Sequence, residues 1–308
     1  VYARSFLQSH KNELKLEILG NKSSQYESLF QILPKFNLDD FYPGEGNGSF
    51  KKLFSDGIWN AYLVYRRSDN QQFAAKIYTN HNDPYQIVYV KRDIINSSKC
   101  NHQAIVKYIG FNEFDFNKNR SNQISPTLLM KFYPRGDLES TFANQQNNLD
   151  FGSKLKVIFG VSSALVEMNK HNIAHLNLTP RSIFLTNKNE PVITDFSLSC
   201  QYSEKVRIKM PSKIGVPIYQ APELFSIGTD LFYTYQVDSY AFGILLYQIL
   251  TDTPAIDVYP NDKNITEILK MKMDNFLPNL IGLNEVFVNL IQSCWNVSIE
   301  TRPDPITI

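Results

Sequence analysis

The sequence predicts an α+β fold in two parts, a small β-rich part carrying one helix and then a larger, mainly helical part. Two strand-like runs, Ala61-Tyr62-Leu63-Val64-Tyr65 and Phe73-Ala74-Ala75-Lys76-Ile77-Tyr78, flank the polar turn Arg67-Ser68-Asp69-Asn70. In the second half apolar residues recur at helical spacing. Val237 to Leu250 is apolar nearly all round, which marks a central helix rather than a surface one.

From the N-terminus, Tyr26, Leu29, Phe30 and Leu33 are spaced for one helix face that Pro34 ends, so residues 1–36 read as a helical extension packed on the β-rich part. The strand–turn–strand unit lies between Leu53 and Tyr78, with Lys76 near the end of its second strand. Asp83-Pro84 reads as an N-cap and first helical residue, and Ile87, Val90 and Ile94 continue a helix until Ser97-Ser98. Two further strands, Ile105–Phe111 and Thr127–Phe132, enclose a polar loop rich in Asn and Ser. Leu155, Ile158, Leu165 and Met168 mark a long amphipathic helix, and Ile265–Met273 and Glu285–Cys294 are further helices.

Composition narrows the function classes. A chain of 308 residues with 43% hydrophobic content can bury one large core or two lobes. The net charge of +1 comes without a Lys/Arg run, so neither nucleic acid nor an anionic membrane surface is an expected partner. Cys100, Cys200 and Cys294 are far apart, show no metal-ligand spacing and no disulfide framework, and fit a reducing, cytoplasmic setting. The longest apolar stretch, Ala241 to Leu250, is too short and too polar to span a bilayer, and no signal peptide is visible. A start at Val1 rather than Met reads as a piece of a longer protein.

A series of short motifs runs along the chain: Phe73-Ala74-Ala75-Lys76, Arg92-Asp93-Ile94, Asn101-His102-Gln103-Ala104-Ile105-Val106, Phe132-Tyr133-Pro134-Arg135-Gly136-Asp137-Leu138, and His175-Leu176-Asn177-Leu178-Thr179-Pro180-Arg181-Ser182. Thr194-Asp195-Phe196-Ser197, Gly215 to Glu223 with its Ala221-Pro222-Glu223, Val237-Asp238-Ser239-Tyr240-Ala241-Phe242-Gly243, Cys294-Trp295 and Arg302-Pro303 complete it. In this order and at this spacing they resemble the protein-kinase superfamily from roughly Phe36 to the C-terminus, and the C-W…R-P ending resembles its tyrosine-kinase-like group. The resemblance implies a two-lobed fold, with residues 37–133 as a β-rich N-lobe holding the αC helix. Residues 134–308 form the helical C-lobe, whose last helix should still be running at Ile308.

The resemblance also implies roles. Lys76 stands at the phosphate-binding lysine and Asp93 at its glutamate partner; Met130 is the gatekeeper, Phe132 lies in the hinge, and Ala74 and Phe184 would sandwich an adenine. Asp195 would hold Mg²⁺. His175 and Phe196 belong to a structural stack, Asp238 should bond the catalytic-loop backbone, and Glu223 and Arg302 should form a buried ion pair.

The catalytic parts depart from the pattern. Asn177 replaces the base Asp, Thr179 the Lys, and Ser182 the second metal-binding Asn. Asn cannot take a proton, and general-base help is worth roughly 10²–10⁴-fold. Counting back from Lys76, the glycine-loop positions fall on Phe54, Asp56 and Trp59, with Phe54 or Trp59 leaning into the phosphate region. Gly44-Glu45-Gly46-Asn47-Gly48 lies too far before Lys76 to serve and reads as a turn. Leu176 replaces the Arg that grips an activation-loop phosphate, and Ser97 replaces an apolar residue of the stack, so the helix bearing Asp93 is expected to be loosely held. These losses on a retained architecture imply a pseudokinase, a signalling scaffold or allosteric partner with weak ATP and Mg²⁺ binding or none. Its partner would be a protein, another kinase included; the alternative is a weak ATP-dependent Ser/Thr kinase.

Overall fold

The computed structural model describes residues 24–44, 49–55, 59–78, 86–116, 124–143, 149–202, 216–225, 234–254, 257–259 and 263–308. Asp56, Gly57, Asp83-Pro84, most of the Gly44–Gly48 turn, and Ser203 and Ser212 of the expected activation segment lie outside them. Two compact units emerge. Among the described residues, 24–99 and Val106–Tyr133 make one; Cys100–Ile105 and Pro134–Ile308 make the other.

The first unit is a curled sheet with one long helix. It opens with a helical turn, α1 (Ser24–Glu27), that tightens into a 3-10 turn ending at Gln31. Tyr26, Leu29 and Leu33 are buried, and the Tyr26 and Phe30 rings lie 5.6 and 5.3 Å from the Phe111 ring. The extension thus packs on the sheet, and its end joins it: Phe111 N donates to Pro34 O at 3.0 Å. The strands are β1 (Phe41–Tyr42), β2 (Lys51–Ser55), β3 (Trp59–Arg66) and β4 (Gln72–Tyr78). After α2 (Gln86–Lys99) come β5 (Tyr108–Asn112) and β6 (Thr127–Lys131). All pairings are antiparallel, in the order β1-β3-β4-β6-β5, with β2 also on β3. Alternation along the strands gathers Phe41, Val64, Phe73, Ala75 and Leu129 on one face, sealed by Phe36, Phe50 and Phe116. The strand expected from Ile105 begins only at Tyr108. Ile105 instead bridges Ile193 of the second unit's own sheet.

The second unit holds α3 (Leu138–Ala143), α4 (Phe151–Lys170), β7 (Ile173–Ala174), β8 (Ile183–Leu185), β9 (Pro191–Ile193), β10 (Cys200–Gln201), α5 (Gln236–Thr251), α6 (Ile265–Met273) and α7 (Glu285–Cys294). Asp150 caps α4, accepting from Ser153 N at 2.6 Å. The long helix forms as expected, but Leu155 is not on its buried face. That face carries Lys154, Val157, Ile158, Val161, Ala164, Leu165 and Met168, while Phe151, Leu155 and Phe159 are exposed. Lys154 takes the inward position by burying its stem and sending its ammonium to Leu250 O and Asp252. The central helix α5 is buried from Val237 through Ile249. Gly243 explains how α7 approaches it: a Cβ there would meet Cys294 Cβ and Trp295 N at 2.8 Å. The three cysteines are buried and form no disulfide. Among the described residues no helix is long and apolar enough to cross a membrane.

Candidate functional site

In the first unit the site is built around a buried charge pair. Strand alternation turns Lys76 and Tyr78 of β4 to the same side, and α2 presents Asp93 to both. Asp93 Oδ2 accepts from the Lys76 ammonium and from the Tyr78 hydroxyl at 2.8 Å; Oδ1 accepts from the Tyr108 hydroxyl at 2.7 Å. Lys76 is 1% exposed and Asp93 is fully enclosed, so the usual position of a strand lysine, a solvated surface, does not apply. The Trp59 ring lies over the Lys76 ammonium with 4.5 Å to its centroid, and Phe54 packs on Trp59 at 5.1 Å. Two of the expected glycine-loop positions therefore carry aromatic rings, Trp59 over the lysine and Phe54 behind Trp59. The shorter Asp93 is not loosely held at this point. Three buried donors pin α2 here, and the Ser97 hydroxyl turns back on the Asp93 carbonyl at 2.5 Å. Ala74 stands opposite Met130 across β4 and β6, both buried, and Phe132 follows β6, partly buried.

In the second unit the catalytic-loop segment closes on itself. His175 is fully buried; its Nε2 donates to Thr194 O at 3.0 Å, and its ring meets Phe196 edge-on at 4.8 Å. Nδ1 accepts from Asn177 N at 3.3 Å, so the ring is the neutral Nε2–H tautomer. Asp238 Oδ2 and Oδ1 accept from the amides of His175 and Leu176 at 2.6 and 3.0 Å. These bonds hold Leu176 in the left-handed region, φ 63°. Burial pushes the Asp238 carboxyl above its usual range, against the pull of the two amides.

Asn177 Nδ2 donates to Asp195 Oδ2 at 3.0 Å, and Ser197 Oγ donates to Asp195 Oδ1 at 2.7 Å. Asp195 is itself buried and left-handed, φ 64° and ψ 61°. Ser182 Oγ accepts from Thr179 N at 3.0 Å and donates to Thr179 O at 2.9 Å. Phe184 lies in β8, partly buried. Among the described residues no cluster of three or more His, Cys, Asp or Glu could ligate a metal.

The unit is tied together away from this segment. Arg302 forms a two-pronged pair with Glu223, at 2.5 and 2.8 Å, and also donates to Asn296 O, Gln236 O and Val297 O. Beside it is a residue that no sequence motif marked. Lys272 on α6 is 1% exposed and donates to Ile218 O at 2.7 Å and Gln220 O at 2.9 Å. Tyr78, Tyr108 and Ser197 were also missed from the sequence. Position i+2 from Lys76 and from Asp195 would have found Tyr78 and Ser197; nothing local marks Tyr108 or Lys272.

The sequence profile of the protein tyrosine and serine/threonine kinase family matches residues 45–308. The chain is 27% identical to the RGS domain-containing serine/threonine-protein kinase A of Dictyostelium discoideum over 219 residues, 71% of this chain and 18% of that protein. It is 24% identical to the dual specificity protein kinase pyk3 of the same organism over 303 residues, 96% of this chain and 20% of that protein. It thus spans about a fifth of these relatives' length. With its sheet unit, its helical unit and this profile match, the chain belongs to the protein tyrosine and serine/threonine kinase family.

Proposed function

We propose that this kinase domain works as a binding module, a pseudokinase serving as signalling scaffold or allosteric partner of another protein, with weak or no ATP binding. The observation that carries the reading is at the base position. Phosphoryl transfer to a hydroxyl needs a base there, and the Asn177 amide cannot take a proton; its Nδ2 is spent on Asp195 at 3.0 Å. Thr179 brings no charge to a transferring phosphate, and the Ser182 hydroxyl is folded onto Thr179. The Cys294-Trp295 and Arg302-Pro303 ending supports a tyrosine-kinase-like origin.

Kinases of this family generally bind ATP with Mg²⁺. The residues here fit that pair poorly. Lys76 is buried between Asp93 and the Trp59 face, and both oxygens of Asp195 accept hydrogen bonds from neutral neighbours.

Transfer of radiolabelled phosphate from ATP, with Mg²⁺ or Mn²⁺ and with Asp195→Ala as control, tests the reading. No signal that depends on Asp195 is expected. Such a signal would instead favour a weak Ser/Thr kinase, the second reading, which the intact Lys76–Asp93 pair keeps in view.

A further inference from the structure

We propose that Asn177 and Ser197 act together as a neutral clamp that closes Asp195 to divalent cations. The inference rests on the binding-module reading and specifies how its site is closed. A carboxylate only accepts, so the amide and the hydroxyl beside Asp195 must both point hydrogen at it. The approach to Oδ2 is taken by the Asn177 amide at 3.0 Å and the approach to Oδ1 by the Ser197 hydroxyl at 2.7 Å. A cation arriving at a bonding distance of about 2 Å would meet the positive ends of both dipoles before it met either oxygen. It would have to displace two good hydrogen bonds inside a buried site, where each is worth more than in water.

The clamp is built from residues that each differ from the kinase pattern, yet they fit one another. An Asp at position 177 would set a second carboxylate beside Asp195 with no cation between them; the Asn177 amide, 3.0 Å from Oδ2, replaces that repulsion with a hydrogen bond. Ser197 supplies the second donor from within the same turn, two residues on, so its bond costs little chain entropy. The left-handed Asp195 backbone fixes the carboxylate between them. The next ligand position is closed as well: the Ser182 hydroxyl both accepts from and donates to Thr179. A single carboxylate with both oxygens engaged is a weak cation site, and each donor covers its own oxygen, so loss of either opens one approach.

The test is Mn²⁺ binding to the purified domain, read from the electron paramagnetic resonance signal of free Mn²⁺, without nucleotide. The parent is expected to show no saturable binding. The double variant Asn177→Ala/Ser197→Gly should bind at least about tenfold more tightly, the scale on which neighbours of a ligand tune metal affinity. Asp195→Asn added to it should abolish the gain. A parent that binds Mn²⁺ as tightly as the double variant overturns the proposal. If the double variant fails to fold, Ser197→Gly and Asn177→Ala are titrated singly: a gain in either supports the clamp, and no gain in both overturns it. The phosphate-transfer assay fails separately. Transfer by a parent that binds no Mn²⁺ sinks the binding-module reading and leaves the clamp; Mn²⁺ binding without transfer sinks the clamp and leaves the module.

Discussion

Asp93 and Asp195 are both buried carboxylates, and the donors each has found set what each can do. Asp93 faces the Lys76 cation, and the phenols of Tyr78 and Tyr108 make up for a side chain one methylene shorter than glutamate. Tyr108→Phe removes a donor to Oδ1 and should cost about 1.5–3 kcal/mol in urea unfolding, the scale of a hydrogen bond to a charged group. An unchanged midpoint would mean that the phenol only fills space. Asp195 accepts from the Asn177 amide and the Ser197 hydroxyl, so Asn177→Asp exchanges one of these donors for a second carboxylate at a site 3.0 Å from Oδ2. Two carboxylates so close share a proton, and one of them titrates above its ordinary range. The folded state then binds more protons than the unfolded one, and stability falls as pH rises from about 4, where an unfolded Asp ionises. The variant should therefore match the parent most nearly in acid and melt progressively earlier toward neutral pH. Phosphate transfer should not return with it, because Thr179 has no charge and the Ser182 hydroxyl stays on Thr179. A gain of about tenfold over the parent, equal to about 1.4 kcal/mol of barrier, would reverse the assignment.

Between elements, two buried cations and one anion meet on the face of α5. Arg302 lies 4.9 Å and Lys272 4.8 Å from the Tyr240 ring, and Tyr259 covers Lys272 from a second side at 5.2 Å. Glu223 is paired to Arg302, so Arg302→Ala would leave a buried carboxylate behind and should cost about 3–5 kcal/mol. A melting temperature equal to the parent's would contradict the tie between the Glu223 segment and the C-terminal residues. Lys272 has no carboxylate of its own among the described residues. Burial pushes its pKa well below the usual lysine value; the charge of Glu223 works against this and that of Arg302 adds to it. An unfolded lysine keeps its proton in the window between that lowered value and about 10.4, so the unfolded state binds more protons there and stability rises with pH. Lys272→Met removes the titration. The stability of the parent relative to this variant should grow as pH rises through the alkaline range, measured by denaturant unfolding at several pH values. A difference that stays flat or shrinks would show that the ammonium is not the penalised species. The same lysine fastens α6 to the Ile218 and Gln220 carbonyls, which gives a short helix a structural task that its amphipathic pattern does not reveal.

For the whole molecule, the order of motifs made the fold legible, and the helices Ile265–Met273 and Glu285–Cys294 lie where apolar spacing put them. The Glu223–Arg302 pair and the Asp238 bonds to the loop amides were also readable, because each comes from a motif whose geometry is shared by the family. What sequence could not show is how the replaced residues satisfy one another. Asn177 lies 18 positions from Asp195 and Tyr108 lies 15 from Asp93, so only the fold brings each pair together. Leu155 was misjudged for a related reason: a long lysine stem can fill an inward position better than the leucine beside it. The same self-satisfaction bears on nucleotide. In the sheet unit the lysine is 1% exposed beneath Trp59, with Phe54 behind it. In the helical unit the carboxylate is clamped by Asn177 and Ser197. Each arrangement opposes a ligand by itself: Lys76 would have to be uncovered for a phosphate, and Asp195 unclamped for a cation. If the dissociation constant is about 1 mM or weaker, then at about 1 mM Mg-ATP the stabilisation RT ln(1 + [L]/Kd) is at most about 0.4 kcal/mol. For a domain of this size that corresponds to a melting shift of about 1 °C. The expected thermal shift is therefore no more than this, with or without Mg²⁺. A rise of several degrees at sub-millimolar Mg-ATP would mean that Trp59 moves aside readily and that the domain is a nucleotide-binding one.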